Sequence, residues 1–101
     1  MAIKKTLSVD GNEMTIKPAG RFDVNLYAEF SMIYQGQMDS VSKYIIDMSE
    51  VEFIDSSALG MMLMLREQAG GDEADIQIVS CSPAVKKILT TAKFERLFKI
   101  G

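Results

Sequence analysis

A chain of 101 residues, 48% hydrophobic and 25% charged, has the make-up of an ordinary globular protein and is long enough to bury a core without metal or disulfide support. The net charge of −3, with eleven Lys and Arg spread along the chain, leaves no basic footprint for nucleic acid, and no apolar run nears the roughly 20 residues of a membrane-spanning helix. Histidine is absent, which excludes Ser-His-Asp and Cys-His catalysis, the common zinc sites and histidine phosphotransfer within this chain.

These totals predict one domain over residues 1–101, with no cofactor, no metal, no nucleic acid and no membrane among its partners. The N-terminal Met-Ala-Ile-Lys-Lys-Thr-Leu lacks the apolar core of a secretory signal, so a cytoplasmic location is expected. Cys81, the single cysteine, has no internal disulfide partner and no histidine to activate it, and reads as a small core or loop residue.

In chain order, Ile3 to Val9 and Met14 to Lys17 flank Asp10-Gly11-Asn12 and predict two antiparallel strands joined by a tight turn. Pro18 to Asp23 breaks the extended pattern. Leu26, Phe30, Ile33, Tyr34 and Met38 then recur at helical spacing, which predicts a helix over roughly 24–38, with Asp23 and Asn25 placed to cap it. Lys43 to Met48 has the apolar, β-branched character of a central strand buried on both faces.

The next stretch, Val51 to Leu65, joins a hydrophobic strand to an almost wholly apolar helix expected from about Ser56 to Ala69 and ended by Gly70-Gly71. At its hinge stands Asp55-Ser56-Ser57, whose simplest role is to cap the helix by accepting bonds from unpaired backbone N–H groups. Asp75 to Val79 predicts another strand. Ser82-Pro83 opens a third helix with Val85, Ile88, Leu89 and Ala92 as its apolar stripe, and Phe94, Leu97, Phe98 and Ile100 fold back, the last as a short strand. Together these elements predict an α/β fold, a mixed, mostly parallel sheet of 4–5 strands with helices packed against it. Loops following the strands would then bring Asp23, Asp55 and Ser56 to one face.

Met61, Met62 and Met64 cannot all face a sheet, because a helix on a sheet needs only one apolar stripe, so at least one is expected at the surface. The helix N-terminus at Ser56 would tolerate an added anion, although the carboxylates of Asp55 and Asp23 would repel it. Ser56 as a catalytic nucleophile is a poor alternative: there is no Gly-x-Ser-x-Gly elbow, a carboxylate is a weak base for a hydroxyl, and the motif holds no lysine. The glycines make no phosphate-binding pattern for a nucleotide.

Several motifs resemble one family, the STAS domains of bacterial anti-sigma factor antagonists. Gly20-Arg21-Phe22-Asp23 is similar to the family's Gly-x-Leu-Asp, and Val51 to Gly60, with Phe53-Ile54-Asp55-Ser56-Ser57-Ala58-Leu59-Gly60, to its signature strand-to-helix motif. Ser82-Pro83-x-Val85-Lys86-Lys87-Ile88-Leu89 resembles its next helix, and Leu97-Phe98-Lys99-Ile100 the segment beyond. Two departures stand out: Ala58 replaces a frequent glycine, and the chain stops near the last strand, short of the C-terminal helix of longer members.

The resemblance implies a non-enzymatic binding switch with Ser56 as the phosphoacceptor. Unphosphorylated, it would bind an anti-sigma factor or related serine protein kinase; phosphorylation would release that partner, and a metal-dependent serine phosphatase would reset the cycle. The partner surface expected from the motif and the helix comprises Asp23, Asp55, Ser56, Ser57, Ala58, Leu59, Gly60, Met61, Met62 and Met64. The same resemblance leaves open a non-sigma output such as biofilm or motility signalling, or a scaffold subunit of a transport complex.

Overall fold

The computed structural model describes residues 2–36 and 39–101. Strands β1 (Ile3–Leu7) and β2 (Glu13–Phe22) form an antiparallel pair, followed by a 3₁₀ turn (Val24–Leu26) that runs into helix α1 (Tyr27–Gln35). Then come β3 (Lys43–Asp47), β4 (Glu50–Ile54), α2 (Ser56–Gln68), β5 (Ile76–Val79), α3 (Pro83–Thr91) and β6 (Lys99–Ile100). The sheet runs β1-β2-β3-β5-β6, with β4 pairing β2 off that path, and every pairing except β1 with β2 is parallel. This is the mixed, mostly parallel α/β sheet expected; the five-strand path matches the anticipated count and β4 is a sixth strand.

Residue offsets explain why β3 and β4 read as parts of one segment. β2 pairs Glu13 with Lys43 and Ile16 with Ile46, then Ala19 with Glu50, and after a bulge Arg21 with Phe53 and Phe22 with Ile54. Both strands therefore lie along the same edge of β2, interrupted by a turn at Met48-Ser49 in which the Asp47 carboxylate accepts from the Ser49 amide at 2.9 Å. The step from 46 to 50 and the bulge before 53 each add a residue to that edge.

The expected break at Pro18 to Asp23 does not occur. β2 continues to Phe22, with Pro18 opposite Ile3 on one side and lying, on the other, in the gap between the last β3 pair and the first β4 pair. A missing N–H costs a central strand little where no ladder bond is made. Gly20, at φ +73, then supplies the positive φ at the bulge that swings β2 onto β4.

The first helix is also shorter than predicted. It opens as a 3₁₀ turn and ends at Gln35, and Met38, its expected last apolar contact, lies outside the described residues. The hairpin strand stops at Leu7, not Val9, because Ser8 turns inward to bond the Glu13 and Gly11 amides, leaving Val9 fully exposed.

Each crossover (β2-α1-β3, β4-α2-β5, β5-α3-β6) steps the same way along the sheet, so right-handed connections put all three helices on one face. Burial agrees. Met14, Ile16, Tyr44, Ile46, Ile76 and Ile78 are buried, whereas the alternate residues Thr15, Lys17, Ile45, Asp47 and Gln77 are only half-buried. The central strands are thus sealed on one face, not on both as their sequence suggested. Phe22, Phe30 and Tyr34 pack through the core, the first pair tilted and the second edge-to-face with ring centroids 5.5 and 5.6 Å apart, and Phe94 stacks on Phe98 at 5.1 Å.

In α3 only Val85 and Leu89 turn inward; Ile88 and Ala92, predicted for the same stripe, are exposed. Ala92 follows the last helical residue, Thr91, and Ile88 sits about 100° around the helix from Leu89.

Candidate functional site

Phe22 and Ile54 are the last paired residues of β2 and β4, so Asp23 and Asp55 leave the sheet on neighbouring strands. Both then do the same local work. Each has extended backbone (φ −142° and −129°), and each carboxylate accepts from the amide two residues on, Asn25 and Ser57, at 3.0 Å. Asp55 accepts as well from the Ala58 amide at 3.2 Å and from the Ser57 hydroxyl, while its carbonyl receives the Leu59 amide at 3.3 Å. The N-terminus of α2 is therefore capped by a carboxylate and a carbonyl of one residue.

Arg21 pairs with the first of these acids. Its Nε lies 3.6 Å from an Asp23 carboxylate oxygen, and its guanidinium covers the Phe53 ring at 4.3 Å from the centroid. The Ser57 hydroxyl above all, then the Ala58 and Ser57 amides and the Arg21 charge, hold the Asp55 carboxyl below its usual range against an opposing desolvation. Arg21 was quoted only as the variable position of its motif; its stacking partner sits across the strand pair, too far along the chain for local reading to find.

The two serines that follow differ sharply. Ser57 is half-buried and its hydroxyl is committed to Asp55. Ser56 is exposed, and its hydroxyl takes part in no hydrogen bond among the described residues. The sequence offered both hydroxyls; the geometry leaves Ser56 available for chemistry from outside.

Along α2 the residues marked for contact divide. Ala58, Met61, Met62 and Leu65 face the core, with Ala58 and Met62 at 0% exposure. As an accessible surface, the set must therefore lose Ala58, Met61 and Met62, whose side chains fill the helix-sheet interface. Leu59 and Gly60 are half-buried, Met64 is 41% exposed, and Leu63, which had not been marked, is 39% exposed. The inference that the three methionines cannot share one face holds, with Met64 the one outside.

The Cys81 thiol is half-buried, and desolvation pushes its pKa up, the opposite of an activated nucleophile. Among the described residues no three of Cys, Asp and Glu gather as metal ligands, and no helix is long and apolar enough to cross a membrane.

A sequence profile described as Mlab, STAS domain, matches residues 6–99. The chain belongs to the STAS domain family. This STAS domain is 45% identical over 101 residues to the STAS-domain containing protein PA14_20770 of Pseudomonas aeruginosa (strain UCBPP-PA14), covering all of both chains. Its fold is similar to that of the anti-sigma factor antagonist SpoIIAA in its unphosphorylated form, with TM-score 0.83 and 16% identity over 99% of this chain and 88% of that one. SpoIIAA in its phosphorylated form, from Bacillus, matches with TM-score 0.68 and 19% identity over 99% and 91%. An anti-sigma factor antagonist from Mycobacterium paratuberculosis matches with TM-score 0.75 and 20% identity over 97% and 84%. At such identities the likeness is one of fold, and it spans the whole sheet and its helices.

Proposed function

We propose that this STAS domain is a phosphorylation-controlled binding module of the anti-sigma factor antagonist type, acting in the cytoplasm. With Ser56 unmodified it binds an anti-sigma factor or related serine protein kinase; phosphorylation of Ser56 releases that partner, and a metal-dependent serine phosphatase restores binding. The observation that carries the reading is the contrast between the two hydroxyls. Ser57 is spent on the helix cap, whereas Ser56 stands exposed and unengaged at the start of a helix that also presents Leu63 and Met64 to solvent.

Supporting it, Asp23, Asp55 and Ser56 meet at one corner of the sheet, where an added dianion would have two carboxylates beside it and a single guanidinium, already paired with Asp23, to offset them. The reading assigns no catalysis to the chain. Asp55 is the carboxylate nearest Ser56 in sequence, and a carboxyl held below its ordinary range is a weaker base than a free one.

The test is titration calorimetry against an anti-sigma factor or serine protein kinase of the same organism. Ser56→Ala should bind like the unmodified protein, and the Ser56 phosphoprotein should bind at least about tenfold more weakly, which corresponds to about 1.4 kcal/mol. Equal affinities for Ser56→Ala and the phosphoprotein would overturn the release mechanism.

A further inference from the structure

Beside the corner that holds Ser56, an open groove of about 360 Å3 separates α2 from α3, with Leu59 on one wall, Ile88, Thr91 and Ala92 on the other, and Lys87 at the rim. Leu63 lies one turn beyond Leu59 at 39% exposure, Ile88 is 38% exposed, and past the end of α3 Leu97 is 40% exposed. The Leu97 carbonyl accepts from Arg66 Nε at 3.3 Å, which ties that end of the run to α2. Exposed apolar side chains thus continue along the groove on both helices.

The charge around it is unlike that of the rest of the molecule. The chain carries a net −3, yet from Cys81 to Phe94 it holds Lys86, Lys87 and Lys93 and no carboxylate. All three lysines are exposed, and none is in an ion pair among the described residues. Lys86 and Lys93 do not line the groove, but each is next in sequence to a residue that does, Lys87 and Ala92.

We propose that this groove seats an amphipathic helix of a protein partner, with apolar residues at i, i+3 or i+4 and i+7 resting between Leu59, Ile88 and Ala92, and with Asp or Glu along the flank that faces α3. A groove bordered by two helices and lined by Leu59, Ile88 and Ala92 fits a third helix, and the unpaired lysines select an acidic one. The proposal rests on the reading of this face as the partner surface and names the partner's chemistry. It also gives the switch a direction, because Ser56 lies one turn before Leu59 on α2 and a phosphate there would repel an acidic helix.

A phage-displayed library of helical peptides, selected against the immobilised protein, tests this without a known partner. The enriched peptides are expected to be amphipathic and net acidic. Ile88→Glu, its cooperative melt checked first, should weaken them by about tenfold or more, and Lys87→Glu, at an exposed lysine, by several-fold with a shallower salt dependence. Met32→Glu, on the exposed side of α1, should leave them unchanged. No enrichment, enrichment of basic peptides, or peptides that bind Ile88→Glu as tightly as wild type would each overturn the proposal. A peptide abolished by Ile88→Glu but indifferent to Ser56→Asp would uphold the groove and count against release by phosphorylation.

Discussion

Met62 and Met64 lie two positions apart on α2, about 200° around the helix from one another. Met62 is 0% exposed and packed between helix and sheet, whereas Met64 is 41% exposed. Met62→Ala deletes buried atoms and leaves a cavity the sheet cannot collapse into, costing about 2–5 kcal/mol. For a domain of this size each kcal/mol lowers the melting midpoint by about 4–8 °C, so the loss should be about 10 °C or more. Met64→Ala removes a side chain already partly in water and should cost less, about 1 kcal/mol at most, a shift of no more than about 8 °C. Binding should invert the order of importance: Met64→Glu, folded as wild type, should lose roughly ten- to hundredfold in affinity for the partner. Circular-dichroism melts and calorimetric titration on the same preparations would measure both. Equal midpoint shifts for the two alanine variants would refute the placement of α2, and unchanged binding by Met64→Glu would remove Met64 from the partner surface.

Ser56→Asp should melt cooperatively near the wild-type midpoint, since the helix dipole favours an anion there by about 0.3–1 kcal/mol and repulsion from Asp55 and Asp23 offsets part of it; loss of cooperativity would show that the position is not free. Incubation of the purified protein with ATP and magnesium alone should leave its mass unchanged, and autophosphorylation would instead make it an enzyme. Because the Asp55 carboxyl titrates below its usual 3.8, its stabilising contribution is present above that value and lost as pH falls through the lower folded one. Asp55→Asn should therefore be less stable than wild type at pH 7, with the difference vanishing in urea titrations as the pH drops below the carboxylate range.

The elements with strong local signals were legible from sequence: the β1-β2 hairpin, the apolar run of β3, the Ser82-Pro83 start of α3 and the Asp55 cap of α2 all stand where local chemistry put them. What misled was chemistry that serves a tertiary end. Pro18 and Gly20 look like a strand terminus, but here they let one strand change partners from β3 to β4, which no window of sequence reports. The site shows the same division. Asp23, Asp55 and Ser56 could be named from their motifs, yet the engagement of the Ser57 hydroxyl depends on how the cap closes, and the sorting of the methionines on how α2 is turned against the sheet. An apolar helix leaves its own orientation ambiguous, because hydrophobicity nearly all round gives no face a preference until the sheet supplies one.

The Asp55 cap on α2 also bears on what kind of switch the site can be. A helix start ordinarily offers free N–H groups to a phosphate, and the sequence alone suggested that a phosphate on Ser56 would collect them. In the folded protein the amides of Ser57 and Ala58 already donate to the Asp55 carboxylate, and that of Leu59 donates to its carbonyl. A phosphate on Ser56 could take them only by displacing Asp55, which would also break the bond from the Ser57 hydroxyl. The less costly state keeps the cap intact and the phosphate in water, pointing outward from an exposed residue. Modification should then leave the backbone of α2 where it is and change only the charge presented to a partner. Amide hydrogen exchange through Ser57, Ala58 and Leu59 would report this directly: protection should match in the unmodified protein and the Ser56 phosphoprotein, and a selective loss at Ser57 would mean that the phosphate has displaced the Asp55 cap.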